Sequence, residues 1–509
     1  MKLRITFLHR PGDAVDPASL KITDDSLAGP DLHAAREVRA TFARDELPAE
    51  LLALLAATND FHVRWVGPHA YQTVSPLQSR LPPGFHLFYT PLADEKHQDS
   101  AVLTCDLLRK AFGGLENCIS NESFVSLPKS RFSHSPAHQF YQPLEDLRNL
   151  TRYIRDDLCP ENDPLCRAQA ERLTESVSLD ISWDSTANIL RVTTMSPYQA
   201  QPLTVTAYPG HRTEVGMLGE DTAPTLERHE VGISGHLVVL GERNTPSPTV
   251  FGFPSRHRAA DGDSVTSFFP YHSDTSTGLH PTLRLVMTSR KPDEGSCTPH
   301  AYLTLPRTIF ADMYQLSDPL FLASKNLTAL RYMSSPVDLE APDYAMSIWG
   351  SFVLVDLAQP SVDAGDAWTA EIPLHLRYLA PATGGHRSIE VPAPAVFWAC
   401  AADEVGNLAT NPFDRTRLGY DGLFDVNTVF WHLEPRPPPL PVGTTRLVLG
   451  VDVPVLDIER SGWIGAGTAA VILLGFGWVV WKLLGAGLAK SAEGGMAPGV
   501  QKPETKKTQ

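Results

Sequence analysis

Apolar and polar residues alternate along most of this chain in runs too short for long helices. KLRITFLH at the start reads as a strand, and a Pro/Asp-rich turn follows it to about residue 30. The Ala/Arg/Glu-rich segment His33–Phe42 predicts a helix. Pro48 then opens PAELLALLAA, a second helix with proline at its first position. FHVRWVG predicts a strand with Phe61, Val63 and Trp65 on one face and His62 and Arg64 on the other. Residues 60–135 otherwise read as irregular. Apolar residues recur at helical spacing over Leu144–Asp157, and Pro164 begins another helix that runs to about Ser176.

From Val177 the texture changes. SLDISWD, ILRVTTMS, LTVTAYPG and GHLVVLGE are short β-rich runs split by Gly, Pro, Asn and Asp. Residues 210–232 and 243–265 read as loops. From His280 the strand pattern resumes in TLRLVMTS, AYLTLPRTIF, SFVLVDLA, AEIPLHLRYL, RSIEVPAP and VFWACAA, spaced by turns as in a β-sandwich. The proline run after Glu434 is stiff and extended, and TTRLVLGVDVPVLD supplies a last strand.

The pattern breaks once more. Trp463 to Trp481 contains no charged residue. As a helix it is about 28 Å long, enough to cross a bilayer's hydrocarbon core, with tryptophans where headgroups would lie. Lys482, Lys490, Lys502, Lys506 and Lys507 follow, which favours a cytosolic C-terminal side. The chain ends KKTQ, and Lys506 and Lys507 resemble the dilysine retrieval signal of ER membrane proteins. The plainer reading of these lysines is a solvated tail. The start of the chain has no apolar h-region and no small-residue cleavage site. A luminal bulk therefore needs the span, or a cryptic early segment, to direct translocation; the alternative is a tail-anchored protein with a cytosolic bulk. The charge asymmetry favours the lumen.

The expected fold is mainly β. It comprises a mixed α/β region over residues 1–176, a β-rich region over 177–285 and a luminal β-domain over 286–456. These antiparallel sandwich-like parts precede one transmembrane helix over 463–481 and a cytosolic basic tail over 482–509. The net charge of −15 and pI near 5.6 lack the basic footprint of a nucleic-acid binder. Six cysteines suit a luminal protein with one to three disulfides. Cys105/Cys118 and Cys159/Cys166 are the natural local pairs, but connectivity is not readable. Cys400, inside the apolar VFWAC, reads as a buried structural cysteine. Asn121, Asn149 and Asn326 head intact glycosylation sequons, whereas Asn244-Thr-Pro is blocked.

Catalytic chemistry is hard to find. No GxSxG, HExxH or GxxxxGK[ST] occurs. Asp261-Gly-Asp263 matches a metal–nucleotide D-x-D pattern, but turn chemistry explains it better. Asp156, Asp157, Glu161 and Asp163 lack EF-hand spacing. We therefore expect no catalytic, cofactor-binding or metal-binding residues. In IPLHLRYL, strict alternation puts His375 and Arg377 on one face, either a solvent-facing stripe or a surface for a partner protein.

An ordered series of motifs resembles the PIG-X family in its fungal form, known for protease B processing. It comprises LPRTIFADMYQLSD (Leu305–Asp318), PVDLEAPDYAM (Pro336–Met346), IPLHLRYLAP (Ile372–Pro381), EVPAPAVFWAC (Glu390–Cys400) and NPFDRTRLGYDGLF (Asn411–Phe424). The resemblance spans about residues 290–485; the first two hundred or so would be a fungal-type extension. It implies a non-catalytic subunit that stabilises the ER mannosyltransferase adding the first mannose to the GPI-anchor precursor. The implied partner is a multi-span catalytic subunit of the PIG-M type that uses dolichol-phosphate mannose. The alternative is a general ER chaperone-like factor for secretory or vacuolar proteins; a third reading, an independent luminal enzyme, would depend on Asp261 and Asp263. Gly465, Gly467, Gly475 and Gly477 would let the span pack closely on partner helices, though spans tolerate glycine generally. Gly475 and Gly477 are the candidate contacts there.

Overall fold

The computed structural model describes residues 1–92, 100–127, 137–221, 226, 230–270, 278–334, 338–359, 367–402, 411–413 and 418–493. The chain divides into two compact units, residues 1–379 with 388–453, and residues 380–387 with 454–509. Among the described residues, two large sheets build the first unit.

The first sheet has eleven strands. In chain order they are β1 (Lys2–His9), β2 (Leu32–Ala43), β3 (Thr58–Val66), β4 (Gly84–Pro91), β5 (Val125–Ser126), β6 (His138–Gln142), β7 (Ser178–Asp184), β8 (Ile189–Gln201), β9 (Arg212–Asp221), β10 (Glu230–Val239) and β11 (Ser247–Pro254). Across the sheet they run β11-β10-β9-β1-β2-β8-β7-β3-β4-β6-β5. The second sheet has eight: β12 (His257–Phe268), β13 (Thr282–Thr288), β14 (Ser296–Pro306), β15 (Leu327–Met333), β16 (Gly350–Leu357), β17 (Trp368–Pro373), β18 (Ala395–Ala401) and β19 (Thr428–Arg436). Their order is β15-β16-β14-β18-β19-β12-β13-β17. Neighbours are antiparallel except that β1 runs parallel to β9 and β12 runs parallel to β19. Both parallel pairs join strands far apart in sequence, because a parallel pair needs a long crossover.

Several local expectations are overturned. His33–Phe42 is not a helix but most of β2, paired on both sides. Ala34 and Ala35 are buried in the sheet and Val38 is half-buried, and tertiary pairing overrides the segment's helix propensity. The expected loops over 210–232 and 243–265 carry β9, the start of β10, β11 and most of β12. The expected irregular stretch 60–135 holds β4 and a helix, Ser100–Phe112. The helix at Pro164 starts as expected, with Asp163 capping it by accepting from the Cys166 amide at 3.0 Å.

The two faces of the first sheet differ in chemistry. Phe61, Val63 and Trp65 of β3 and Phe85 and Leu87 of β4 are buried in one apolar cluster. Phe85 meets Phe112 of the Ser100–Phe112 helix edge-on at 4.9 Å. The opposite face carries the cross-strand pairs His62–Phe88 and Arg64–His86. Such a polar face would ordinarily meet water; here His62, Arg64 and His86 are all at most 5 % exposed. The second sheet accounts for this. Its Tyr302, Phe352, Phe397 and Phe430 belong to the same buried cluster as the first sheet's aromatics. Gln139 donates to the Tyr302 hydroxyl at 3.2 Å, Trp349 to the Gln139 carbonyl at 2.9 Å and Tyr420 to the Arg80 carbonyl at 3.0 Å. Gly419, at φ +84°, allows the turn before Tyr420 to enter this layer; a Cβ there would lie 2.8 Å from the Tyr302 hydroxyl.

Three disulfides form: Cys105–Cys118, Cys159–Cys166 and Cys297–Cys400. The third joins directly opposed residues of β14 and β18. It links positions 103 apart in sequence, for which chain-entropy arguments give a stabilisation of about 4–5 kcal/mol.

In the second unit, residues 380–387 are knitted to the segment before the long helix. Ala382 donates to Leu456 at 3.1 Å, Val455 to Gly385 at 2.9 Å and Ile458 to Ala382 at 3.3 Å. Asp457 caps the turn Ile458–Arg460, and the helix Ser461–Glu493 follows.

Candidate functional site

The motif around His375 is built by a short pairing of Ile309–Phe310 with His375–Leu376. The strand ends there, so the expected alternation fails. Arg377 turns inward and is 4 % exposed, whereas Tyr378 is 67 % exposed. The Arg377 guanidinium lies 4.4 Å from the centre of the Phe310 ring and donates to the Ala341 carbonyl at 2.8 Å. Burial lowers its pKa, against the pull of Asp338 and Asp343. Arg377 is thus not part of an outward polar stripe with His375; it locks this corner from within.

His375 is half-buried. Its Nδ1 lies 2.9 Å from Nδ1 of His280, and its Nε2 lies 3.1 Å from Oε1 of Gln315. One hydrogen serves the contact between the two rings, so they cannot both be protonated without losing it. Burial and His280 lower the His375 pKa. Around these two residues the surface is aromatic. Asp343 donates its amide to the Tyr378 carbonyl at 3.0 Å, and Gln315 reaches His375, which joins three segments. Each segment exposes a tyrosine: Tyr314 at 71 %, Tyr344 at 67 % and Tyr378 at 67 %. Leu320, at 85 %, follows Tyr314 on the next short helix. Alternation along IPLHLRYL would put Tyr378 on one face with the buried Leu374 and Leu376, so its exposure is what strand reasoning missed.

The helical stretch Ile458–Ala486, which runs from the turn Ile458–Arg460 into the helix Ser461–Glu493, is long and apolar enough to cross a membrane. Trp463, Leu474 and Trp481 are all strongly exposed. A Cβ built on Gly465, Gly467, Gly475 or Gly477 would meet nothing within 4 Å. This fits a single-pass membrane protein. At 100° per residue, Gly475 and Gly477 point about 200° apart, toward nearly opposite sides of the helix. Lys506 and Lys507 lie outside the described residues.

All three sequon asparagines are exposed. They differ in what their amides do. Asn326 donates to the Thr369 carbonyl at 2.7 Å, and Asn149 lies on a helix with its side chain beside Gly113. Asn121 begins the turn Asn121–Ser123, in which Asn121 and Glu122 are exposed and Ser123 is buried. The D-x-D segment sits within β12, at an irregularity between Ala259 and Ser264, not in a loop. Asp263 accepts from the Ser289 hydroxyl at 2.7 Å and the Arg290 amide at 3.1 Å; the Asp261 side chain lies outside the described part. Among the described residues, no group of three or more His, Cys, Asp or Glu is placed to hold a metal ion.

Comparison with known proteins gives a consistent family. A family model described as PIG-X / PBN1 matches residues 276–484. Protein pbn1 of Neurospora crassa is 49% identical over 494 residues, 96% of each chain. Protein PBN1 of Gibberella zeae is 44% identical over 487 residues, 95% of each chain. Protein PBN1 of Yarrowia lipolytica is 30% identical over 261 residues, 48% of this chain and 49% of that one.

Proposed function

The chain belongs to the PIG-X / PBN1 family, an accessory-subunit family of GPI-anchor biosynthesis, and on that premise we propose that it is the non-catalytic, stabilising subunit of the ER mannosyltransferase that adds the first mannose to the GPI precursor. The observation that carries this reading is similarity over nearly the whole of both chains to a Pbn1 protein, the first sheet included. In this reading the protein is anchored once in the ER membrane. Its two-sheet unit is luminal and its C-terminus cytosolic, with Lys506 and Lys507 as the retrieval signal.

The partner is a multi-span catalytic subunit. The span offers it a helix with glycines that no described side chain covers, which allows close backbone approach in lipid. The face edged by Tyr314, Tyr344, Tyr378 and Leu320 offers rigid aromatic anchors of the kind that carry binding energy at interfaces. His375 and Arg377 support that face from beneath. The protein itself supplies no reacting group; it keeps the catalytic subunit folded and assembled.

The test is affinity purification of the full chain from ER membranes in mild detergent. Mannosyl transfer from dolichol-phosphate mannose to a glucosamine-phosphatidylinositol acceptor is then assayed in the eluate. A stoichiometric multi-span partner with activity is the expected result. A diffuse set of maturing glycoproteins without activity would replace this reading with that of a general folding factor.

A further inference from the structure

A cavity of about 630 Å³ opens where β1, β9 and β10 approach β12 and β19, away from the tyrosine-edged face and wholly within the first unit. Its floor is cationic and buried. Arg80 is 6 % exposed and His432 3 % exposed. The Arg80 guanidinium is poorly matched: its contacts are the Tyr71 carbonyl and the Thr73 hydroxyl, both at 3.4 Å, and the Tyr71 ring at 5.0 Å. No described carboxylate forms an ion pair with it. A buried charge without a counter-charge is expensive, and proteins ordinarily pair it or bring it a ligand.

His432 adds a second open valence. Its Nε2 lies 2.9 Å from Nδ1 of His257, and its buried Nδ1 has no partner. Burial, with Arg80 and Arg64 nearby, holds the His432 pKa down at about 3, so the ring is neutral. When His257 donates to Nε2, the one hydrogen of neutral His432 sits on Nδ1, which then needs an acceptor. A guanidinium held only by long contacts and without a described carboxylate, beside a buried imidazole N–H with no acceptor, both lining one cavity, describe an oxyanion site. Glu220, Glu230 and Glu434 line the same cavity and supply acceptors suited to hydroxyl groups. The volume lies within the range of small-ligand sites.

We infer that this cavity binds a small phosphorylated polyol, its phosphate on Arg80 and His432 and its hydroxyl groups on the carboxylates. Arginine grips phosphate through two parallel hydrogen bonds, and three non-ester oxygens leave one for the imidazole. The same chemistry is offered by a soluble sugar or inositol phosphate and by an inositol lipid headgroup. The inference holds whichever complex the protein joins.

The test uses the full chain in detergent micelles and phosphate-free buffer, titrated calorimetrically with myo-inositol 1-phosphate, glucose 6-phosphate and uncharged myo-inositol. Loss of a charged hydrogen bond weakens binding by about ten- to a hundredfold, so the phosphates should bind tighter than inositol by that margin. Arg80→Gln and His432→Asn should each weaken the phosphates by a similar factor and leave inositol unchanged. Two arms separate the sources. In nanodiscs containing phosphatidylinositol, loss of the soluble ligand's binding assigns the site to the lipid headgroup; binding equal to that in phosphatidylcholine nanodiscs assigns it to the soluble ester. The inference is overturned if neither phosphate binds at millimolar concentration, or if inositol binds as well as its phosphate. Unchanged affinity in either variant, with the wild-type unfolding transition, would also overturn it. Should both variants fail to fold, the comparison of inositol with its phosphate on the wild-type chain decides alone.

Discussion

Buried histidines set how this protein responds to acid. His86 is fully enclosed, and burial lowers its pKa to about 4; His432 is held at about 3. In the unfolded chain both return to ordinary values near 6.5. Between those limits the unfolded state binds more protons than the folded one, so stability rises with pH across that window. The contribution is complete above the unfolded value and is lost as pH falls toward the folded one, at up to about 1.4 kcal/mol per pH unit for each ring. The guanidinium unfolding midpoint of the full chain should therefore drop between pH 7.5 and pH 5, and His86→Gln should flatten that slope. An identical slope in the variant would remove His86 from the explanation. The sequons make a second residue-scale prediction. Glycopeptide mass spectrometry should find Asn121 more fully modified than Asn326, whose amide is already donated to a carbonyl. Absence of glycan from all three would count against a luminal first unit.

At the scale of elements, what could be read in advance followed burial on one face only. KLRITFLH, FHVRWVG and SLDISWD announce strands because β-branched and aromatic residues recur every second position, and each is a strand. The Trp463–Trp481 run announces its helix by length alone, and the helix extends past both ends of that run. His33–Phe42 misleads because alanine, arginine and glutamate favour helices in isolation, while its neighbours in space are strands. Edge strand β11 misleads differently: Val250 and Phe251 are both exposed, so no alternation marks it. The polar face of β3 was legible as polar but not as buried, since the sheet covering it is contributed by residues two hundred or more positions later. A separation of 103 positions likewise hides the Cys297–Cys400 bridge. The span carries its own prediction. Because Gly475 and Gly477 look in nearly opposite directions, Gly475→Leu and Gly477→Leu probe different sides of the helix. If the catalytic subunit packs on one side, one substitution should sharply reduce its co-purification and the other should spare it. Retention in both would sink packing through these glycines.

For the whole molecule, the boundary of the family model is not a folding boundary. The family model begins at residue 276, just past β12, yet β12 sits between β19 and β13 in the second sheet. Cutting there splits that sheet and strips the first sheet from Tyr302, Phe352 and Phe397, which are all fully buried. A chain starting at residue 276 should therefore aggregate or be degraded when expressed, whereas co-expression with residues 1–275 should partly restore soluble protein. A stable, monomeric 276–509 fragment would show the two sheets to be independent. The parallel partner of β1 has one more consequence. Lys2 pairs with Arg212, so β1 cannot complete its second edge until about 200 residues more have been made. At ordinary synthesis rates that is a delay of about ten to forty seconds, with one edge of β1 open throughout. Such contact order makes folding slow and leaves unpaired strand edges in reach of neighbouring chains. A protein proposed to steady another is, during its own synthesis, a demanding client for whatever holds nascent chains apart.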